Sequence, residues 1–472
     1  MRPARPAQRR APAPNRQGTI LVVTMWIVLV LASLVLILAR AMRVEVICSA
    51  NETASLQAEA VEQGAIQYVL SHLDGLDGEV PDDANTPCQA VRVGAGAFWI
   101  LRPNFEDDRA RSYGIVDEAS KINANTATVE MLSKVPDMTE ELAACLKDWR
   151  DEDGDVTPGG AEGEYYLLQA EAYQCKDAPL ETLEELRLVK GAGEQVLFGE
   201  DINRNGVLDA NEDDADACEP ADNRDGRLDC GVLPFLTVYS AEPEADPNSP
   251  PRVNVNSSQT TALSNLLREN MSAARANDVL RLVRQYRPFS NVLHFYVRSG
   301  LTAEEFLAIE DRLTTGATQG GAKGLVNVNT APREVLACLG GLTDSDAASL
   351  VARRSQAGAD LTSLAWVADA LRPSQADNDA AAQKLAAFGG RITTRSYQFS
   401  ADIVSLSGDG RAFHRCRIVV DARTSPPRVI YRQDLTGLGW PLEPEILDQA
   451  RAGGGIEQVV AGQTVRQEVV RQ

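Results

Sequence analysis

A long apolar segment lies near the start of the chain. Residues 19–39 contain no charged side chain, and residues 42–73 continue in helix-forming residues without Pro. At a rise of about 1.5 Å per residue, the apolar run spans roughly 31 Å, close to the bilayer core of about 30 Å. The pattern predicts one N-terminal helix over 19–75 with a transmembrane half and an amphipathic half. The amphipathic half carries a rough apolar stripe: Leu56, Ala60, Ile66, Tyr68, Val69 and Leu73.

Alternating, β-rich segments lie on both sides of a mostly helical middle. Residues 89–103 and 109–120 predict two strands, and residues 390–434 predict three more, with a hairpin turn at Asp409-Gly410. The sequence therefore predicts an α+β fold in which an antiparallel sheet is split by a large all-α insert. The predicted segments are a leader (1–18), the N-terminal helix (19–75), the first part of the β domain (76–118), the helical insert (119–387), the C-terminal strands (388–440) and a polar tail (441–472).

The helical middle contains an internal repeat. Segments 121–136, 252–267 and 325–340 each begin with an apolar residue and an Asn-x-Asn-Ser/Thr motif that leads into an amphipathic helix. The second Asn or the Ser/Thr is predicted as the N-cap, with Pro332 just inside a helix start. These openings resemble helix-hairpin-helix or SAM-like modules. A packing role is favoured over DNA binding, because only the last hairpin keeps the Gly that brings backbone amides to phosphate.

Oxygen-bearing residues at alternate positions predict a calcium loop at residues 201–212. With Gly206 at the sharp turn, they match positions 1, 3, 5, 7, 9 and 12 of an EF-hand-type loop: Asp201, Asn203, Asn205, the Val207 carbonyl, Asp209 and Glu212. Calcium is accordingly the predicted cofactor. The alternative is a solvated acidic turn.

Two further acidic turns repeat parts of this pattern. Residues 222–230 offer Asn223, Asp225 and Asp229, but Ala221 occupies the first position and no acid occupies the twelfth. Residues 148–166 contain alternating Asp151, Asp153 and Asp155, which could also hold a metal.

Charge and cysteine usage reduce the number of functional classes to which this protein could belong. The chain has 46 basic and 67 acidic side chains, and residues 1–44 carry seven Arg and no acid, so the rest carries −28. Such an acidic body disfavours nucleic acid as a partner. Three His and the lack of CxxC, GxSxG, HExxH and Walker motifs give no support to an enzyme. In an exported body, Cys218 and Cys230 bracket the second acidic turn and are the predicted disulfide pair.

The first 18 residues contain five Arg and four Pro and no acid. The junction between Gly18 and Thr19 resembles a type IV pilin-like leader, which is cut after the Gly while the apolar helix is retained. A signal peptide and a plain signal anchor are the alternatives, although no AxA site ends the apolar run. The Arg-rich side is predicted to stay cytoplasmic and the acidic body to be exported.

Together, these motifs and their order resemble general secretion pathway protein K, the large minor pseudopilin family of type II secretion. The match is carried by the leader junction, residues 148–166 (DWRDEDGDVTPGGAEGEYY), residues 178–191 (APLETLEELRLVKG), the calcium-like loop and residues 325–342 (LVNVNTAPREVLACLGGL). The resemblance implies a pilin-like domain that is interrupted by a helical insert, and this insert holds calcium. It also implies that the protein is anchored in the inner membrane of a Gram-negative bacterium by a single span, with its globular body in the periplasm.

The resemblance also implies a place at the pseudopilus tip and several partners. These are the other minor pseudopilins, the major pseudopilin, and a prepilin peptidase that cleaves after Gly18 and methylates Thr19. Pilins usually carry Glu at the fifth mature position, where this chain has Val23; Val agrees with this family rather than with the major pseudopilin. The alternatives are a membrane-anchored, calcium-dependent adhesin-like or dockerin-like protein and a membrane-bound nucleic-acid receptor.

Overall fold

The structure is a computed structural model, and it describes residues 16–215, 220, 222–244, 250–316, 322–372, 378–454 and 456–461. Helix α1 (Arg16–Leu73) is the first element of the described part. Its large apolar side chains between Ile20 and Ile47 face outward. Within the described residues, α1 is the one helix that is long and apolar enough to cross a membrane, judged by length and composition.

The second half of α1 packs against the protein's own sheet. The buried positions recur every three or four residues, as expected for one helix face: Ala54, Ala58, Val61, Ala65, Ile66, Val69 and Leu73. The predicted stripe is therefore only partly right, because Leu56 remains 61% exposed and Ala60 is also exposed. Gly64 lies against Val93, and a Cβ at that glycine would collide with the valine side chain.

One antiparallel sheet forms the first domain, and its strands come from both ends of the chain. The strand order is β1-β2-β11-β12-β13, with β3 on β2 and β4 on β11. Gly410 has a positive φ of 66° in the predicted hairpin between β11 and β12. The strands are β1 (Val91–Val93), β2 (Gly96–Arg102), β3 (Ser112–Tyr113), β4 (Val116–Asp117), β11 (Gln398–Leu406), β12 (Phe413–Asp421) and β13 (Arg428–Asp434).

The two faces of the sheet are covered by different elements. Helix α1 covers one face, which includes Phe98, Ile100 and Ile403. The segment after β13, with helix α14 (Pro444–Gln449), covers the other face around Trp99. This segment lies at the start of the predicted polar tail (441–472), which is therefore not polar throughout. Its apolar side chains recur at helical spacing and are buried: Leu442, Ile446, Ala450, Ile456 and Val459.

The helical insert lies between β4 and β11 and has its own continuous apolar core. This arrangement confirms the predicted α+β fold. Its helices are α2 (Val129–Leu132), α3 (Glu140–Arg150), α4 (Gly163–Leu167), α5 (Glu194–Phe198), α6 (Thr261–Asn270), α7 (Ala273–Tyr286), α8 (Val292–Ser299), α9 (Ala303–Leu307), α10 (Arg333–Cys338), α11 (Asp344–Arg354), α12 (Ala365–Ala370) and α13 (Asn378–Phe388).

Each repeat opens with a two-residue strand in a parallel pair. The pairs are β5 (Ile122–Asn123) with β6 (Leu236–Thr237), β7 (Val253–Asn254) with β8 (Leu313–Thr314), and β9 (Val326–Asn327) with β10 (Ile392–Thr393). The first Asn accepts a hydrogen bond from the amide two residues on, as in Asn327 Oδ1 with Asn329 N at 2.9 Å. The first Asn therefore stabilises the turn by which the chain leaves the short strand.

Neither the second Asn of each repeat nor the Ser/Thr that follows it is an N-cap, contrary to prediction. The side-chain nitrogen of the second Asn instead donates to a distant loop carbonyl, as in Asn125 Nδ2 to Leu180 O at 2.9 Å and Asn329 Nδ2 to Leu361 O at 3.0 Å. The caps are later residues, such as Thr128 for α2 and Pro332 for α10. The second Asn thus joins separate segments of the insert.

Asp117 anchors the point where the chain leaves the sheet. Its carboxylate is 4% exposed and accepts hydrogen bonds from Asn327 Nδ2 at 3.0 Å, Thr330 Oγ1 at 2.6 Å and Ser396 Oγ at 2.5 Å. Burial raises the pKa of Asp117 to about 6, although these hydrogen bonds oppose the shift. The exit strand, the third repeat and the return strand are therefore tied together by one buried carboxylate.

Candidate metal centre

The predicted calcium loop wraps around Asp201. Its carboxylate oxygens accept the backbone amides of Asn205 at 2.9 Å and Gly206 at 3.0 Å. Gly206 has a φ of 70°, so the sharp turn uses the conformation for which glycine is suited. Asn203 Oδ1 and Asn205 Oδ1 accept amides two residues ahead at 2.9 and 2.8 Å. The loop is therefore folded by its own polar side chains.

The remaining predicted ligands converge on Asp209 and Glu212. Asn203 Nδ2 and Asn205 Nδ2 each donate to Asp209 Oδ2 at 2.8 Å. Glu212 Oε2 accepts the Asp209 amide at 3.0 Å. Glu212 is only 1% exposed, and its Oε1 atom is buried without a hydrogen-bond partner. An orphaned, buried carboxylate oxygen in an oxygen-rich loop fits the ligand needs of a hard cation.

The electrostatics of the loop also favour a cation. Burial raises the pKa of Glu212 to about 8, and the charges of Asp201 and Asp209 add to the shift. Burial likewise raises the pKa of Asp201 to about 6, against the stabilising amides of Gly206 and Asn205. These acids are therefore costly to ionise together in the folded protein, and a divalent ion would offset that cost.

The second acidic turn is joined to the first through Glu200, a residue that the motif analysis missed. Glu200 accepts the amide of Asn223 at 2.8 Å and that of Asp229 at 3.3 Å. The predicted Asn223 and Asp225 are exposed, while Asp229 is half-buried. Asp137 lies beside Asp229, and burial together with that neighbour raises the pKa of Asp137 to about 6. The three predicted ligands of this turn therefore do not form a buried cluster of their own.

The loop at 201–212 is held against the sheet by Arg415, which lies on β12. Arg415 is fully buried and donates to Asp402 through Nε at 2.9 Å and Nη2 at 2.8 Å. It also donates to the carbonyls of Asn203 and Arg204, both at 2.6 Å. The Arg204 guanidinium lies 3.9 Å from the centre of the Phe198 ring. Sequence spacing gave no signal for this contact, because Arg415 lies more than 200 residues from the loop.

Other predicted site residues remain untested. Cys230 is half-buried, but Cys218 lies outside the described residues, so their disulfide stays a prediction. Gly18 and Thr19 belong to the backbone of α1, and the side chain of Thr19 is outside the described part. Val23 is 55% exposed on the apolar half of the helix.

The fold defines an α+β protein with a helix suited to a membrane and a sheet interrupted by a helical insert. Residues 116–197 and 326–387 match two family models, both described as type II secretion system (T2SS), protein K. Over these two segments, which make up less than a third of the chain, the chain is similar to the type II secretion system protein K family. The predicted calcium loop at 201–212 lies outside both matched segments.

Two individual proteins are also similar to this chain. The type II secretion system protein K of Klebsiella pneumoniae is 38% identical over 66 residues, which are 14% of this chain and 20% of that protein. The chain therefore aligns with about a fifth of that relative. A chain of the crystal structure of the GspK-GspI-GspJ complex from enterotoxigenic Escherichia coli aligns over 83% of this chain and 98% of its own length, with a TM-score of 0.38 and 13% identity.

Proposed function

We propose that this protein is a non-enzymatic minor pseudopilin that caps the pseudopilus tip of a type II secretion system and supports export across the outer membrane. The observation that carries the proposal is the position of the two family segments. The first begins with β4 and continues into the insert, and the second lies within the insert between β4 and β11. The sheet that carries this insert packs on a long N-terminal helix whose first half is apolar.

The membrane topology follows from charge. Five Arg and no acid precede Gly18, so the leader is on the cytoplasmic side and the acidic body is in the periplasm. The apolar half of α1 anchors the chain in the inner membrane as a single span. A prepilin peptidase cuts after Gly18 and methylates Thr19.

Val23 fits a terminal position in the filament. In a pilin-like filament, a Glu at the fifth mature position pairs with the terminal amine of the next subunit in an apolar core. An unpaired charge in that environment costs several kcal/mol. A tip subunit has no subunit above it, so Val23 avoids this cost while the Thr19 amine can still meet a Glu of a neighbour.

The exposed side of α1 is the proposed contact with smaller minor pseudopilins. Leu56 and Ala60 lie on this side. Ile66 and Gly64, which the apolar pattern also suggests for this contact, are already used inside the protein. The partner surface is therefore shorter than the stripe predicts and is centred near Leu56.

Calcium is proposed to hold the loop at 201–212 in its docked form. Asp201, Asp209 and Glu212 would bind the ion, which would neutralise their mutual repulsion. The carbonyls of Asn203 and Arg204 would then stay fixed against Arg415. In this role the ion stiffens the connection between insert and sheet, and no reaction is assigned to it.

The test is co-purification of the full-length protein with the other minor pseudopilins from cells that express all of them. Leu56→Arg should reduce recovery of the partners, because burying one leucine contributes about 1.5–3 kcal/mol. Leu168→Arg is the matched control, since Leu168 is 85% exposed on the insert. Equal partner recovery with Leu56→Arg and Leu168→Arg would refute packing through α1. Failure of the unchanged protein to bind any minor pseudopilin would refute the proposed function.

A further inference from the structure

The outward side of α1, beyond its apolar half, carries a regular pattern of its own. A row of exposed residues recurs at alternating intervals of three and four, which is the spacing of a coiled-coil seam: Val46, Ser49, Thr53, Leu56, Ala60 and Gln63. Its large apolar members, Val46 and Leu56, are 67% and 61% exposed. The side chains that pack on the sheet, such as Ala58 and Val61, lie on the other side of the helix. This outward seam is therefore open to a second helix.

Three glutamates line one edge of the outward seam. Glu45, Glu52 and Glu59 follow one another at a constant spacing of seven residues, and each directly precedes a seam residue. In heptad notation they occupy g positions, where charges decide which helix a coiled coil accepts as its partner. At about 1.5 Å per residue the row is roughly 21 Å long. All three are exposed, and none forms an ion pair or a side-chain hydrogen bond with the residues that the structure describes.

The remaining acid of this half of α1 is treated differently. Glu62 faces inward, is 2% exposed and is paired with Arg432 of β13 at 2.5 Å. The protein thus supplies a cation to the inward glutamate and leaves the three outward ones to solvent or to another chain.

A second copy of this chain does not complement the row. Residues 44–73 contain no Lys or Arg, and the e positions on the other edge of the seam are Ala50, Gln57 and Gly64. The chain beyond residue 44 also carries a net charge of −28, so two copies repel each other. The chemistry that fits this edge is a helix of a different chain with basic side chains.

We propose that the outward seam receives the N-terminal helix of another minor pseudopilin, which presents Lys or Arg at seven-residue intervals to Glu45, Glu52 and Glu59. The inference rests on the proposed function and adds the charge of the partner helix to it. Two helices that enter one membrane with the same orientation run parallel, and in a parallel pair the g residues of one helix face the e residues of the other. The small side chains of Ser49 and Ala60 allow the two backbones to approach closely.

The size of the effect follows from the exposure of the glutamates. One exposed ion pair strengthens association about twofold. Reversing the charge of two glutamates removes two attractions and creates two repulsions of similar size, so binding should weaken roughly tenfold. The loss should be largest at low salt, because salt screens exposed charges.

The experiment measures the Kd of the full-length protein in detergent for each of the other minor pseudopilins, at low and at high salt. The reversed variant, Glu52→Lys/Glu59→Lys, should bind the affected partner roughly tenfold more weakly at low salt. Glu106→Lys/Glu171→Lys is the matched control, because it changes the net charge equally at exposed positions outside α1. Replacing the basic residues at the facing e positions of that partner by Glu should restore its binding to the reversed variant.

Each outcome decides the proposal. Weaker binding by the reversed variant, with the control unchanged and binding restored by the charge change in the partner, supports it. It is refuted if the reversed variant binds as the unchanged protein does, if the control loses as much, or if no charge change in the partner restores binding. Lost binding in Leu56→Arg with full binding by the reversed variant refutes the basic partner helix alone and leaves the proposed function intact. An unchanged protein that binds no minor pseudopilin, or only a second copy of itself, refutes both.

Discussion

Replacing Glu212 by Gln should change stability in opposite directions with and without calcium. The substitution keeps the shape of the side chain and an oxygen that can accept the Asp209 amide. It removes a buried charge whose other oxygen is unpartnered. The new amide hydrogens would face the neighbouring carboxylates of Asp201 and Asp209, which can accept them.

The size of the effect follows from the pKa. Burial raises the pKa of Glu212 from 4.5 to about 8, so the folded state holds this proton more tightly than the unfolded state. The stability of the metal-free protein therefore falls as the pH rises from about 4.5 to about 8. Each pKa unit of difference between the folded and unfolded states corresponds to about 1.4 kcal/mol. At pH 7.5, the raised pKa of Glu212 therefore lowers the stability of the metal-free protein by at most about 4 kcal/mol. Relaxation of the loop and water penetration around the buried charge reduce the expected gain from Glu212→Gln to about 1–2 kcal/mol.

Calcium should reverse the order. An ion at a hundredfold excess over its Kd stabilises the native state by about 2.7 kcal/mol. The Gln variant should lose most of this stabilisation because it lacks the anionic ligand. Thermal melting of the full-length protein at pH 7.5 in detergent, with chelator and with calcium, measures both effects. Glu106→Gln, at an exposed site, is the control.

The expected result is a crossing: Glu212→Gln melts higher than the unchanged protein in chelator and lower in calcium. An equal calcium-dependent shift in both proteins would refute calcium binding by Glu212. A lower melting temperature of the variant in chelator would show instead that Glu212 stabilises the metal-free loop, contrary to the reasoning from its burial.

Three further perturbations test other parts of the molecule. Gly18→Asp should leave residues 1–18 attached in cells with an active prepilin peptidase, and a processed product in an intact-mass measurement would contradict this. Arg415→Met should lower the free energy of unfolding by about 3 kcal/mol, since it removes the buried hydrogen bonds of Arg415 and leaves Asp402 with Arg417 as its remaining cation; adding Asp402→Asn should restore part of the loss, and no restoration would argue against the pair. Asp117→Asn should remove a fall in stability of up to about 3 kcal/mol between pH 4 and 6, measured by thermal melting; an unchanged pH profile would contradict the raised pKa of Asp117.

Local patterns predicted the fold class well. The apolar run and the helix formers after it indicated α1, because backbone hydrogen bonds within a helix depend only on near neighbours. The turn residues Asp409 and Gly410 indicated the hairpin between β11 and β12 for the same reason. The α+β class was also predictable. The alternating segments lie before and after a mostly helical middle region, so they were expected to pair with each other in one sheet.

Contacts between distant segments could not be predicted. In the sequence, Arg415 resembles any charged residue on a strand. In the structure, it donates hydrogen bonds to a loop that lies more than 200 residues earlier in the chain. The second Asn of each repeat looks like a helix cap, but its amide is used by a separate loop. Leu56 and Ile66 have similar hydrophobicity and differ in burial because Leu56 lies on the exposed face of α1, between the buried Ala54 and Ala58. In each case the tertiary surroundings decide the role of the residue.

The insert is attached to the sheet at two kinds of contact, and this has a mechanical consequence. The chain leaves at Asp117 and returns at Phe399, which are paired in adjacent strands. Bringing the ends of a long segment together in this way costs little more free energy than for a short segment, because the closure entropy grows only with the logarithm of the length.

A single attachment point, however, would leave the insert free to rotate relative to the sheet. The contact of Arg415 with the loop at 201–212 supplies a second point on β12. We therefore expect loss of calcium to loosen the orientation of the insert while the sheet itself stays folded.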